Sequence, residues 1–340
     1  MKIGNSVWDI FEETSVRYRE LGAPGRPGLR VSEIGLGTRE IGGTIWLEVG
    51  GKQLPHGFGI SDDDESMQLI ARARRLGVNF VLTSPAHGAG HGQDVVGRAI
   101  ARDRDYWVVG AMGGIEVEDG MLRRDFSYES LVSGLDLSIE RLKSYDVDIF
   151  MLQNPTQEEL EDGGCLEALA EVARTGKAGF VGVDISGSDA KLSALLDAGL
   201  NVIGVRYNVF EAEEAETFAR ARSLGIGIVA QEVLANGLLT DAFSGMEGFA
   251  PDDERSLLGR ADVDELIQRA AKLSFLAAED RTIAQASLLY VLANKGVSVA
   301  LTGAFRSKHI EEDVAVVNMR PMGEDQLAAI ARLQRAGYGE

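Results

Sequence analysis

The sequence predicts a single (β/α)8 barrel, a TIM barrel preceded by a β-hairpin. Three observations carry that prediction. Short apolar runs rich in Val and Ile recur along the chain, as suits strands buried on both faces of a parallel sheet. Stretches with helical apolar spacing lie between them, several ending at or just before a glycine fit for a helix C-terminus. The strands number eight, which closes a barrel. A doubly wound sheet is the alternative, but its G-x-G-x-x-G nucleotide fingerprint is absent from the first strand-helix turn.

Taken in order, residues 1–17 read as an N-terminal arm without an obvious task and 18–340 as one barrel domain. Residues 18–31 read as a hairpin plugging the barrel bottom, and 34–37 as the first barrel strand. The remaining strands are predicted at 78–83, 107–112, 148–152, 179–183, 202–207, 225–230 and 297–302. Helical spacing covers 65–76, 128–142, 165–175, 189–196 and 213–224. Two stretches are expected to shape the barrel mouth. Residues 44–60, with Trp46, His56 and glycines at 50, 51, 57 and 59, form a long first loop of the kind that folds over substrate. Residues 242–260, polar and placed after the seventh strand, read as a lid or mobile connector.

A chain of 340 residues with 45% hydrophobic content is large enough for a full core. Its net charge of -19, with no basic stripe or basic helix, argues against nucleic acid and anionic membrane as partners and leaves a small-molecule substrate. Residues 62–65 and 158–162 are acidic runs expected at solvated helix starts and loops. No apolar run reaches the roughly 18 residues of a membrane span, and the N-terminus lacks a signal-peptide core, so a soluble protein is expected. The single cysteine, Cys165, cannot form an intrachain disulfide and fits a reducing cytoplasm. Its place at a helix start after Gly163-Gly164 would lower its pKa, although a buried thiol is the commoner case. The histidines show no H-E-x-x-H or similar spacing, so no metal is assigned. His56 and His91 are expected in exposed loops. Oligomeric state stays open.

Several segments then match one family in order and spacing: Gly35-Leu36-Gly37-Thr38, Ile41-Gly42-Gly43, residues 63–66, Leu76-Gly77-Val78-Asn79-Phe80, Val96-Gly97-Arg98-Ala99, residues 138–142, Gly176-Lys177 before Val181-Gly182-Val183, Tyr207-Asn208 and Gly237-Leu238-Leu239-Thr240. Over roughly residues 18–335 the chain resembles the aldo-keto reductases. The resemblance implies an aldo-keto-reductase-type barrel and, in the family, hydride transfer from NADPH to a carbonyl, helped by an Asp, Tyr, Lys and His.

At the positions matching that tetrad stand Leu82, His87, Met112 and Gln153, so the resemblance does not carry the reaction over. The changes fit one another. A Tyr donor needs a Lys and its Asp partner to stabilise the developing phenolate, and without the Tyr a buried charge pair has no task. Replacing both charges by Leu82 and Met112 makes an apolar wall, whereas losing one would strand the other at a cost of about 3 to 5 kcal/mol. The positions matching the nicotinamide ligands of the family read Asp184-Ile185, Gly204 and Gln231, with Asp184 bringing negative charge to a site that needs neutral donors and acceptors. Gly303 to Ser307 and Glu311-Glu312-Asp313 resemble the loop and helix that bind the adenosine phosphate, where Arg306 is the candidate for gripping a phosphate.

Polar and titratable groups stand instead at strand ends, where barrel active sites form. His87, Asp184 and Glu232 make the candidate catalytic set, with His87 as donor or acceptor near neutral pH and a carboxylate orienting or opposing it. Arg39, Trp46, Gln153, Asn154 and Arg206 are candidate substrate contacts, Arg206 for a carboxylate, phosphate or enolate. For Asp184 and Arg206 a structural ion pair is the competing reading. Three functions follow. The first is redox-neutral acid/base chemistry (dehydration, elimination, isomerisation or cyclisation) on a small oxygenated metabolite, with no cofactor required. The second is an NADPH-dependent oxidoreductase using His87 as donor. The third is a silent barrel acting as a binding or regulatory subunit.

Overall fold

The structure, a computed structural model, describes residues 16–338 apart from 23, 24, 26, 241–247 and 279. The predicted arm therefore lies outside the described residues except for Val16 and Arg17, and so does the first part of the 242–260 segment.

Fourteen strands occur among the described residues. β1 (Tyr18–Leu21) and β2 (Leu29–Ser32) form the expected hairpin. The barrel strands are β3 (Ile34–Gly37), β6 (Phe80–Thr83), β7 (Val108–Gly113), β10 (Val147–Gln153), β11 (Ala178–Asp184), β12 (Val202–Arg206), β13 (Gly227–Gln231) and β14 (Val297–Thr302). All neighbours pair in parallel, and β14 pairs β3 to close the barrel, so the doubly wound alternative is ruled out.

Two further hairpins, β4 (Ile45–Val49) with β5 (Lys52–His56) and β8 (Ile115–Glu118) with β9 (Met121–Arg124), follow the first and third barrel strands. The predicted long first loop is thus largely a hairpin. Its turn, Gly50-Gly51, and the Asp119-Gly120 turn of the other hairpin have positive φ at both residues, the geometry that two-residue hairpin loops require. The hairpins touch through the Glu48 N–H, which donates to the Gly120 carbonyl at 2.8 Å.

Helices start where local caps are available. Asp62 accepts from the Glu65 N–H, Ser127 from Ser130, and Thr156 and Thr282 form capping boxes with Glu159 and Gln285. Two predicted helices are shorter than their apolar spacing suggested: regular helix covers only Leu192–Leu195 and Phe218–Ser223. Neither start has a side-chain cap, and such short helices gain little from propensity.

Alternation along the strands sorts the core into two sets. Phe80, Leu82, Val108, Met112, Ile149, Met151, Phe180, Val202, Val229 and Val299 fill the barrel interior together with Leu21 and Val31 of the first hairpin, which plugs it. Their neighbours, such as Val81, Val109 and Phe150, face the helices instead. Leu82 and Met112, 0% and 3% exposed, therefore belong to an apolar barrel lining.

Glu33 ties the plug to the closure. Buried between β2 and β3, its carboxylate accepts from Arg17 Nε at 2.6 Å and Arg19 Nε at 3.1 Å. Arg19 also donates to the carbonyls of Val297 and Leu292, and the Glu33 carbonyl accepts from the Ala300 N–H of β14 at 2.8 Å. Replacing Glu33 by Ala leaves the largely buried Arg19 without its counter-charge. The expected loss is about 3 kcal/mol, read as a lowered urea midpoint, and Glu33→Gln should lose most of it because charge is what Arg19 needs. An unchanged midpoint would mean that water serves Arg19 equally well.

Candidate active site

The C-terminal ends of β10 to β13 place a polar arc on one side of the barrel mouth. Gln153 and Asp184, the last residues of β10 and β11, are register partners, and Asp184 in turn lies opposite Gly204 of β12. Asp184 is 2% exposed, and its carboxylate accepts from the Ser186 N–H at 3.0 Å and hydroxyl at 3.1 Å. Burial raises its pKa to about 6; the Ser186 hydrogen bonds oppose that rise and Glu232 adds to it. A Cβ on Gly204 would lie 2.7 Å from Asp184 Oδ1 and 2.9 Å from Gln231 Nε2, so these two side chains close over the one position in the arc that has none.

Arg206, at the end of β12, donates to Glu232 at 3.0 Å and to Glu211 at 3.2 Å. The competing reading, an Asp184–Arg206 ion pair, is not formed; Ser186 serves Asp184, and the two glutamates serve Arg206. Glu232 adopts a left-handed backbone (φ 51°), held by the Ala235 N–H and the Asn208 amide on its carbonyl, which turns its carboxylate towards Arg206 and Asn236. Burial raises the pKa of Glu232, with Arg206 acting against it.

The other side of the mouth centres on Arg39. Its guanidinium donates to both oxygens of Glu254 at 2.5 and 2.6 Å and lies over the Phe58 ring at 4.7 Å. Glu254 also accepts from the Gly57 N–H at 2.9 Å, and His56 Nδ1 stands 3.6 Å from it. Phe58 forms a β-bridge with Asp253. The described part of the predicted lid is thereby joined to the β4–β5 hairpin. His56, expected to be exposed, ends β5 half-buried in this network because Glu254 comes to it from far along the chain.

His87 follows β6, its Nδ1 2.9 Å from Thr38 Oγ1. Burial, helped by Arg39 and His56, drives its pKa down to about 3. The imidazole is therefore neutral at physiological pH, able to donate through one ring nitrogen and accept through the other. Arg39 acts electrostatically on both His87 and Glu232, which links the two sides.

The other candidates are more dispersed. Gln153 accepts from Ser84 Oγ at 2.5 Å, and Ser84 Oγ accepts from the Ala86 N–H, so Gln153 orders the turn that carries His87. Asn154, also left-handed, commits its side-chain oxygen to the Gly187 N–H at 2.6 Å and holds the loop beyond Asp184. Trp46 alternates with buried Leu47 on β4 and is 48% exposed. Arg306 is exposed beside a pocket of about 270 Å³ that Glu40, Asp62 and Glu65 also line. The Glu40 carboxylate lies against Gly303, and Asp313, 3% exposed, has its pKa raised by burial to about 7. Cys165 is buried, the commoner case, and burial raises its pKa despite the helix start. His91 opens a helix and pairs with Asp63 at 2.9 Å. Among the described residues no group of His, Cys, Asp or Glu is arranged to hold a metal, and no helix is long and apolar enough to cross a membrane.

Sequence reading missed Glu254, which stands in the polar run Asp252-Asp253-Glu254 and carries no local signal of its pairing. It also missed Ser186 and Thr38, the partners of Asp184 and His87.

A closed eight-stranded barrel with a hairpin plug and a polar mouth is shared by many enzymes, and the comparisons narrow it. The profile of the Aldo/keto reductase family matches residues 34–335. The chain belongs to this family. It is 27% identical to L-galactose dehydrogenase of Arabidopsis thaliana over 318 residues, 90% of this chain and 91% of that protein. Among solved structures it resembles the holo form of an aldo-keto reductase from Bacillus halodurans (TM-score 0.74, 21% identity, 94% of this chain and 96% of that one). It also resembles an aldo/keto reductase from Klebsiella pneumoniae in complex with NADP and acetate (TM-score 0.65, 18% identity, 90% and 93%). As an aldo/keto reductase family member it is an oxidoreductase-like barrel.

The Asp184 carboxyl binds its proton more tightly in the folded chain, at about 6, than at the ordinary value of 3.8. The folded state is favoured while the carboxyl is neutral, and that advantage is lost as pH rises from the lower value through the upper one. Roughly two units correspond to about 3 kcal/mol. Urea unfolding of the wild type and Asp184→Asn at several pH values is expected to show the wild type losing up to that amount relative to the variant over this window. Parallel pH profiles would rule the shift out.

Proposed function

We propose that this aldo/keto reductase family member performs redox-neutral acid/base chemistry, a dehydration, elimination, isomerisation or cyclisation, on a small oxygenated metabolite. The observation that carries the reading is the closure of Asp184 and Gln231 over Gly204. By family resemblance these positions would hold the nicotinamide amide, and a buried carboxylate does not fit there as a neutral ligand would. At the phosphate end Arg306 shares its pocket with three acidic side chains, a poor setting for a dianion. The donor set present thus does not match the family's use of the cofactor.

The same groups suit proton transfer. A carboxyl with a pKa of about 6 is mostly ionised at pH 7, yet basic enough to take a proton from a hydroxyl or an activated carbon. Glu232, with its raised pKa, is suited to return one. Neutral His87 contributes a directed hydrogen bond, and Arg206 stabilises negative charge that develops on substrate oxygen.

A second reading, an NAD(P)H-dependent oxidoreductase with His87 as donor, is favoured by the dehydrogenase name of the plant relative and by the NADP in the Klebsiella structure. Against it stands a neutral imidazole with a pKa of about 3, whose protonated form is scarcely populated at neutral pH.

Titration of the protein with NADPH, followed by nucleotide fluorescence, separates the two. No saturation is expected through the millimolar range. Saturable micromolar binding, with NADPH consumed in the presence of an aldehyde, would overturn the redox-neutral reading.

A further inference from the structure

Arg269, on the helix Arg260–Ala271, has no carboxylate partner among the described residues. Its guanidinium lies over the rings of Phe210 at 4.7 Å and Tyr338 at 5.0 Å, and its Nε is buried without a hydrogen-bond partner. It lines a pocket of about 320 Å³, bounded by the loops after β12 and β13 and by residues of the 254–269 segment.

The other charges in the wall are matched. Arg206 is paired with Glu211 and Glu232, Arg255 with Asp253, and Glu254 with Arg39. Arg269 alone among the charged residues of the wall has no ion-pair partner among the described residues, while Arg206 has two; Arg206 Nε is a second buried N–H without a partner. Cation–π contact with two rings contributes about 0.5–2 kcal/mol to holding the half-buried guanidinium but satisfies none of its N–H donors. The rings cover the guanidinium face and leave its edge as the place for an acceptor.

We infer that this pocket is an anion subsite in which Arg269 seats the carboxylate of the substrate, making the substrate class a small hydroxycarboxylic acid. A monoanion fits better than a phosphate, because Glu211, Glu232 and Glu254 stand in the same wall and would repel a second negative charge. Carboxylates and the Asn236 amide in the lining suit hydroxyl groups, while Leu238, Leu258 and Leu266 give the pocket an apolar side. With a water taking about 30 Å³ of liquid, the volume suits a compact sugar-acid-sized molecule. Assigning the anion to the substrate itself rests on the acid/base reading of the adjoining Arg206 and Glu232.

Calorimetric titration of the full chain with gluconate, sorbitol and sorbitol 6-phosphate tests the subsite. Gluconate is expected to bind saturably and sorbitol at least about tenfold more weakly, as loss of a charge-assisted hydrogen bond implies. Arg269→Gln should weaken gluconate by about the same factor without lowering the melting temperature, and Arg269→Lys should retain part of the affinity. Equal binding of gluconate and sorbitol, no binding of any probe, or an unaffected Arg269→Gln variant overturns the proposal. Tighter binding of sorbitol 6-phosphate overturns the choice of a carboxylate. Should the glutamine variant unfold, the lysine variant decides: gluconate affinity reduced while sorbitol is unchanged supports the subsite, and both unchanged overturns it. None of these measurements involves turnover or nicotinamide. Saturable NADPH binding with gluconate selectivity intact would sink the redox-neutral reading alone, and lost selectivity with NADPH still unbound would sink the subsite alone.

Discussion

One buried carboxylate at the barrel floor, Glu33, holds the closure on which the mouth depends. The closing strand β3 is four residues long and meets β6 through only two register pairs, Leu36 with Val81 and Gly37 with Leu82. So short a ladder offers few hydrogen bonds, and the tertiary contacts beneath it carry more of the load. Through Arg19, Glu33 reaches the start of β14, and through its own carbonyl it accepts from Ala300 within that strand. β3 ends at Gly37, directly before Thr38 and Arg39, so the partner of His87 and the main cation of the mouth are positioned by an ion pair at the opposite end of the barrel.

Arg39 organises the charges above. It is matched to Glu254 at close range, yet it acts on every titratable group near it, disfavouring the charged form of His56 and His87 and favouring that of Glu40 and Glu232. In a partly desolvated mouth such a cation has a longer reach than it would in water. Burial leaves a neutral His87 with the help of Arg39, and carboxyls of raised pKa at Glu40 and Glu232 in spite of it. By meeting Gly57 and Arg39 together, Glu254 also makes closure of the mouth and its electrostatics a single event.

The barrel was legible because its signal is local. Runs such as Val202–Arg206 are apolar for the simple reason that both faces are covered, and the plug could be read from its place before the first strand. Leu82 and Met112 were legible as a wall because lone replacements would have left a buried charge. The two extra hairpins were missed although Gly50-Gly51 and Asp119-Gly120 are turn dipeptides; their strands are short, polar and half-exposed, so alternation is faint. The ion pairs of the mouth were not legible at all. Arg39 and Glu254 are 215 residues apart, and nothing near either indicates the other. The low pKa of His87 was not legible for the same reason, since it depends on burial and on cations brought from other segments.

Polarity in this barrel is divided by sector. The ends of β6 and β7 contribute Leu82 and Met112 to the dry interior, whereas β11 to β13 end in Asp184, Arg206 and Gln231, with Glu232 beyond. In the proposed reading, proton handling has moved around the rim from the first sector to the second. Such a move is physically economical. The apolar sector needs no compensating charge, and the polar sector pairs its charged groups: Ser186 serves Asp184, and Glu211 and Glu232 serve Arg206, with Arg206 Nε and Gln231 Nε2 left over. The two changes also favour each other. Burial keeps the pKa of Asp184 near 6, and a cation placed beside it would pull it back towards the ordinary carboxylate range. The family's scaffold can hold either set of charges at the mouth, and holding both would cost each the environment it needs.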